Sequence, residues 1–444
     1  MKPRRTTVHL LLLTLIASLF AGCSDTEDQN DADPEGEDLP WEVLESTVER
    51  DLSPEVDPGT SEQLAADNRD FAFALASRIL EEEEPENLFF SPFSISLALA
   101  MTYPATSGDT RDQLAEVLRF TLDEEELHPA FSHLDLELAT RSERDVDGNP
   151  PELNLVNATW GQYDFPFRES YLDTLAMHYG AGLFAVDFRS DYEQIRQQIN
   201  QWVEDQTNER IQDLLPPDSL DELTVMVLVN TIYFLAGWDK EFSDSLTEDQ
   251  PFTRLDGSDV DVEMMRQTDH FDYFLGEDTH AISLRYVGNQ VSFVALKPAE
   301  EEDFSDWEQS LDRDHFDQVI DGFQYGRGKI ALPRFRIEGD YDLMELFEAM
   351  GWEDYGELDG LVEGGHPTDA EITDILHKSY IDVDEEGTEA AAATAVIIGD
   401  VGAMPIEPED DFDLTFDRPY YFAIYDHPTD TILFLGRVAD PTAN

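Results

Sequence analysis

Glu385-Glu386-Gly387-Thr388-Glu389-Ala390-Ala391-Ala392-Ala393-Thr394-Ala395-Val396-Ile397-Ile398 is a run that suits no single ordinary element. Its four consecutive alanines favour helix, because Ala has the best intrinsic helix propensity, and Thr388 is placed to cap such a helix. Thr394, Val396, Ile397 and Ile398 favour strand instead. Laid out as a strand, the run puts Thr388, Ala390, Ala392, Thr394, Val396 and Ile398 on one face, all uncharged, and Glu389 on the other. Gly387 supplies a pivot, since Gly enters unusual backbone dihedrals without steric cost. Two readings stand: an Ala-rich surface helix followed by a short strand, or a segment with two alternative conformations.

The flanks favour the second. His377-Lys378-Ser379-Tyr380-Ile381-Asp382-Val383-Asp384 precedes the run, and Phe416-Asp417-Arg418-Pro419-Tyr420-Tyr421-Phe422-Ala423-Ile424 follows it. From Asn87 to Pro441 the order of segments resembles the serpin family. That resemblance implies an α/β (mixed α+β) fold with a large central β-sheet, a helical shell and an exposed reactive-centre loop from about Gly387 to Phe412. It further implies a loop that baits a protease and then inserts into the central sheet as a strand. Glu386, Gly387, Thr388, Glu389, Ala390, Ala391, Ala392, Ala393 and Thr394 take the position of the hinge. The family's spacing from Gly387 puts the reactive bond between Val401 and Gly402. The stretch from there to Phe416 is longer than in many serpins, so any bond from Ile398 to Met404 stays open. A small aliphatic bait residue suits an elastase-like or subtilisin-like serine protease.

Composition bounds the rest. The 444 residues carry 99 acidic against 27 basic side chains, a formal charge of -72. Phosphate binding depends on clustered Lys and Arg, so this balance excludes a nucleic-acid surface. It is the balance of a protein from a high-salt environment. At about 1 M salt the screening length is roughly 3 Å, against about 10 Å at 0.1 M, so self-repulsion is damped. An acidic disordered chain is the competing explanation, but 27 Phe and 15 Tyr supply ample core material.

Residues 1–23 read as an export signal: Lys2, Arg4 and Arg5 precede an apolar run from Leu10 to Phe20 that is too short to span a bilayer. Leu19-Phe20-Ala21-Gly22-Cys23 resembles a lipobox, with Cys23 as the lipid-bearing residue, and Arg4-Arg5 loosely resembles a twin-arginine signal. The competing reading of Cys23, the only cysteine, is an incidental thiol. Residues 24–60 are rich in Asp, Glu, Pro and Gly and read as an acidic, disordered tether; 61–444 form the serpin domain. Contact with a membrane is expected only through the lipid anchor, and the protein is expected to be exported and monomeric.

Asn87-Leu88-Phe89-Phe90-Ser91-Pro92-Phe93-Ser94-Ile95-Ser96-Leu97-Ala98-Leu99-Ala100-Met101 reads as a short strand running into a helix that Ser91 caps and Pro92 opens. By the resemblance, Ser91 and Ser94 belong to a cluster called the shutter. Thr224-Val225-Met226-Val227-Leu228-Val229-Asn230-Thr231-Ile232-Tyr233-Phe234-Leu235-Ala236-Gly237-Trp238 is a run of β-formers suited to the middle of a sheet. The resemblance places Asn230 and His377 in the same shutter and Trp238 at the breach, where the loop enters. Without it, Asn230 and His377 read as hydrogen-bonded core residues and Trp238 as core.

No Gly-x-Ser-x-Gly elbow, His-Glu-x-x-His, phosphate loop or Gly-x-Gly-x-x-Gly occurs, so an enzyme is not expected. Asp145-Val146-Asp147-Gly148 lacks the spacing and terminal Glu of a calcium loop; neither metal nor cofactor is expected. Asn157-Ala158-Thr159 matches a glycosylation sequon, a weak signal within an apolar run. The expected function is suicide inhibition of a serine protease, trapped as an acyl-enzyme by loop insertion. The alternative is a non-inhibitory binding or scaffold protein on the same fold. The small residues of the hinge favour the inhibitor, since non-inhibitory serpins tend to carry bulky or charged residues there.

Overall fold

Residues 42–44, 46–83, 86–142, 151–299, 303–362, 372, 375–388 and 410–443 are described by a computed structural model. The described strands are β1 Glu42–Leu44, β2 Leu88–Phe90, β3 Glu152–Gln162, β4 Leu183–Val186, β5 Met226–Gly237, β6 Glu248–Thr253, β7 Asp259–Leu275 and β8 Thr279–Arg285. They continue as β9 Val291–Pro298, β10 Gln324–Pro333, β11 Phe335–Asp342, β12 Leu376–Val383, β13 Gly387–Thr388, β14 Phe412–Thr415, β15 Tyr420–Asp426 and β16 Thr431–Val438. The helices that bear on the argument are α1 Pro58–Glu82, α2 Pro92–Thr102, α3 Gly108–Val117 and α4 Glu124–Ala139.

Alternation of side chains builds the central sheet. In β11, Phe335, Ile337, Gly339 and Tyr341 are buried while Arg336, Glu338, Asp340 and Asp342 face out. β12 buries His377, Ser379, Ile381 and Val383 in the same rhythm. This period of two commits each strand to one register, because a slip of one residue would exchange the faces. The sheet runs β1-β4-β3-β5-β13-β12-β11. β3 and β5 pair antiparallel along most of their length, from Glu152↔Leu235 to Gly161↔Met226.

The second sheet runs β14-β10-β7-β8-β9-β15-β16-β2, with β6 added on β7. β9, β15 and β16 are buried along their whole length, as their near-continuous apolar sequences require. Between the sheets, Phe89 stacks on Phe434 at 5.1 Å and on Phe422 at 5.8 Å. Every residue of α2 is buried, so this helix runs through the interior.

The expected tether, 24–60, differs from the structure over its last part. Residues 24–41 lie outside the described residues, as do the export signal and Cys23. Residues 42–44 and 46–60 belong to the folded body: β1 pairs antiparallel with β4 at the sheet edge, and Val56 packs against the core. Arg50 forms an ion pair with Asp135 of α4 at 2.5 Å, and Asp57 caps α1 through the amide of Gly59. Sparse apolar residues hid this, because an edge strand of three residues needs few of them.

Candidate functional site

β12 ends in a tight reversal. The amides of Glu386 and Gly387 donate to Asp384 Oδ1 at 2.8 and 3.1 Å, and Asp384 N donates to Gly387 O at 3.0 Å. The chain therefore returns antiparallel, pairing Thr388 with Val383. On its other side the returning strand pairs with β5, Gly387 with Gly237 and Thr388 with Ala236. The first two residues of the expected loop thus already lie inside the sheet, between β5 and β12. This corrects the expectation of a loop exposed from Gly387 to Phe412: Thr388 is 1% exposed, and Phe412 is buried in β14. Glu389, Ala390, Ala391, Ala392, Ala393 and Thr394 lie outside the described residues, as do Val401 and Gly402.

The role of Gly387 also differs from the pivot expected. It has no positive φ among the described residues. Glycine is required by close approach instead, since a Cβ there would stand 2.1 Å from Ala236 O.

Around this turn the breach is assembled. Trp238 donates from its amide to Glu386 O and from Nε1 to Asp384 O, both at 2.9 Å, while Phe242 N donates to Glu385 O at 2.9 Å. The indole of Trp238 stacks on Tyr286 at 4.6 Å with 10° between the planes, and Tyr286 Oη lies 2.6 Å from Thr388 Oγ1. Glu385 is 3% exposed. Burial favours its neutral form, but the hydrogen bonds from Arg334, at 2.5 Å, and from Thr247 hold its carboxyl below the ordinary value.

Lower in the sheet, His377 on β12 meets the start of α2. Ser91 N donates to His377 Nε2 at 3.1 Å, and Ser91 Oγ donates to Leu433 O at 2.6 Å while accepting from Ser94 N at 3.2 Å. Ser91 therefore caps α2 and ties it to both sheets. The parallel register Lys378↔Thr231 brings the backbone of Asn230 alongside that of His377; the Asn230 side chain lies outside what the structure describes. Ser379 Oγ donates to Phe89 O at 2.7 Å beside Gly339, where a Cβ would come within 2.1 Å of the same carbonyl.

Complete burial pushes the His377 imidazole down to about 3. The unfolded chain takes up that proton near pH 6.5, so below this value it binds more protons than the folded one, and stability falls with pH. The loss runs from pH 6.5 toward about 3, at up to about 1.4 kcal/mol per pH unit. Denaturant midpoints between pH 6.5 and 5 should show it, and His377→Gln should flatten the slope, leaving the contributions of His178 and His427, which burial also lowers. Equal slopes in parent and variant would assign the pH dependence to other groups.

Tyr286, Arg334, Thr247 and Ser379 were not anticipated as site residues. Tyr286, Arg334 and Thr247 are remote in sequence from the hinge and carry no local signal, while Ser379, eight residues before Gly387, reads locally only as one residue of a strand.

A family model described as serpin (serine protease inhibitor) matches residues 66–441. The chain belongs to the serpin family. Antithrombin-III of Mus musculus is 34% identical over 395 residues, covering 86% of this chain and 82% of its own. The leukocyte elastase inhibitor of Equus caballus is also 34% identical, covering 86% of this chain and 100% of its own. Among solved structures, the native state of the thermophilic serpin tengpin superposes with a TM-score of 0.73 at 26% identity, covering 89% of this chain and 97% of its own. Uncleaved ovalbumin gives 0.73 at 26% identity, covering 85% and 100%. The serpin fold is thus mixed α and β. Among the described residues no three His, Cys, Asp or Glu side chains are grouped to hold a metal, and no helix is long and apolar enough to cross a membrane.

Proposed function

We propose that this serpin is a single-use inhibitor that traps a serine protease as a covalent acyl-enzyme. The observation that carries this reading is the position of Gly387 and Thr388, already paired with both β5 and β12 at the head of the slot that the small residues of the hinge would extend. The protease nucleophile attacks the carbonyl of the bait residue and the amine side of the loop leaves, so that the acyl-enzyme remains tethered to the hinge. Insertion adds a central strand, turns the uncharged face inward and releases the energy stored in the uninserted fold. The tethered protease is dragged with it before water completes hydrolysis. Val401, or a bond between Ile398 and Met404, serves as bait for an elastase-like or subtilisin-like enzyme. The name of the leukocyte elastase inhibitor agrees with that class of target.

Denaturing gels after incubation with elastase-like and subtilisin-like proteases in high salt test the proposal. A stable band at the summed mass of inhibitor and protease is expected; clean cleavage without that band would leave a substrate or scaffold.

The same reading includes export, a lipid anchor at Cys23 and a saline working environment. Its salt consequence is direct. With 99 acidic and 27 basic residues, dilution from about 1 M to about 0.01 M salt lengthens the screening distance from roughly 3 to 30 Å and restores self-repulsion. Circular dichroism should record loss of structure on dilution. An unchanged spectrum would remove the halophilic part of the proposal.

A further inference from the structure

Trp238 faces more than the hinge. It also lines a cavity of about 180 Å³ where the end of β5 meets β7 and β8, closed at that junction by the hydrogen bond from Asp239 N to Arg285 O. Trp238, Phe242 and Phe271 give it apolar walls, and all three are buried. Ser283 also lines the space; it is 2% exposed, and its Oγ has no hydrogen-bond partner among the described residues. Buried hydroxyls are normally paired, so an unpaired one against a cavity marks a place where a ligand atom completes the bonding.

The charged groups of the lining come in opposite signs. Lys240 donates to Asp269 Oδ1 and His270 O, which uses two of its three donors. Arg285 gives Nε and Nη2 to Asp272 and Nη1 to Asn289 O, which leaves two of its five N–H groups. Both cations are about one-third exposed, at 34% and 37%. Asp239, also in the lining, accepts from Asn289 Nδ2 at 3.2 Å and keeps acceptor capacity.

We propose that this cavity binds a small zwitterion with one aromatic ring, an α-amino acid such as phenylalanine. Size supports a single ring, since an apolar cavity of about 150 Å³ accommodates benzene. The carboxylate takes the spare donors of Lys240 and Arg285 and the Ser283 hydroxyl, the ammonium faces Asp239, and the ring lies among Trp238, Phe242 and Phe271. Net neutrality matters on a chain of charge -72. In dilute salt a lone anion is repelled by the whole molecule and a lone cation is attracted without preference for this place; in high salt that field is screened and the paired local groups set the preference. Occupancy is transmitted to the hinge, because the amides of Trp238 and Phe242 hold the carbonyls of Glu386 and Glu385. The site itself does not depend on the inhibitory reading.

Titration calorimetry of the full chain in high salt with L-phenylalanine, phenylacetate and phenethylamine provides the test. One-site saturable binding of L-phenylalanine is expected, with each singly charged analogue weaker by about tenfold or more, the equivalent of one lost charge-assisted bond. Ser283→Ala and Lys240→Met should each weaken L-phenylalanine by about tenfold, with thermal melts confirming that the variants fold; Ser283→Ala alone suffices if the other does not. Amide exchange at Trp238 and Phe242 should slow on saturation. No saturable binding of L-phenylalanine, or undiminished binding by the folded variants, would overturn the site. Equal affinity for phenylacetate would overturn the zwitterion.

Discussion

Thr388→Arg is expected to convert a protease trap into a protease substrate. Thr388 is 1% exposed, paired with Ala236 and Val383 and held through its hydroxyl to Tyr286. An arginine cannot be received there: the position is walled by two strands and the Tyr286 ring, which itself stacks on Trp238. Before cleavage, the hinge pair should simply leave the slot, giving up two strand pairings that water replaces, so the fold survives. The charge must then be buried on the way to full insertion, and an unpaired buried charge costs several kcal/mol even after relaxation. Trapping is a race between insertion and deacylation. Each 1.4 kcal/mol or so added to the insertion barrier slows insertion about tenfold, so about 3 kcal/mol shifts the outcome about a hundredfold toward cleaved product. By alternation Glu389→Arg falls on the other face and should do far less. The measured ratio of covalent complex to cleaved inhibitor decides: a Thr388→Arg variant that traps as well as the parent would defeat the inhibitory mechanism or the facing of the hinge.

The parts of this structure legible in the sequence are those written in local pattern. The β-forming run of β5 and the Ser91-Pro92 start of α2 appear where their residues ask for them. Thr388 on the inward face of the hinge follows from a strand's period of two. What stayed hidden are relations that only the sheet creates. The parallel contact of β12 with β5 joins residues nearly 150 apart, Lys378 and Thr231, and no sequence signal sets that register. Glu385 is the clearest case. Within Asp384-Glu385-Glu386 it reads as one of a solvated acidic run, yet it alone of the two glutamates is buried, because the reversal at Asp384 turns it toward Arg334 and Thr247. Composition cannot mark a carboxylate as structural in a chain with 99 of them. Only the partner can.

Glu385→Lys should accordingly be among the most damaging charge changes in the molecule. Glu385 is 3% exposed and bonded to Arg334 Nε at 2.5 Å, and burial raises its cost unless those bonds remain. A lysine there places two cations side by side where a carboxylate had joined them. Removing one partner of a buried pair costs about 3–5 kcal/mol. Arg334 is 36% exposed and also reaches Glu263 at 3.2 Å and Asp244 at 3.6 Å, so solvent and these partners reduce the expected loss to about 2–3 kcal/mol. The damage falls where it matters most. Phe242 N bonds Glu385 O, and Trp238 bonds the carbonyls on either side, so displacing residue 385 loosens three hydrogen bonds that close the breach over Gly387 and Thr388. Glu385→Gln separates charge from shape, because the amide oxygen can still accept from Arg334 while its NH2 donates to the Thr247 hydroxyl, which turns to accept. Denaturant midpoints and amide exchange at Trp238 and Phe242 should therefore rank parent, Glu385→Gln and Glu385→Lys in falling order of protection. A Glu385→Lys variant with the parent's midpoint and exchange would show that the breach is held by strand pairing alone.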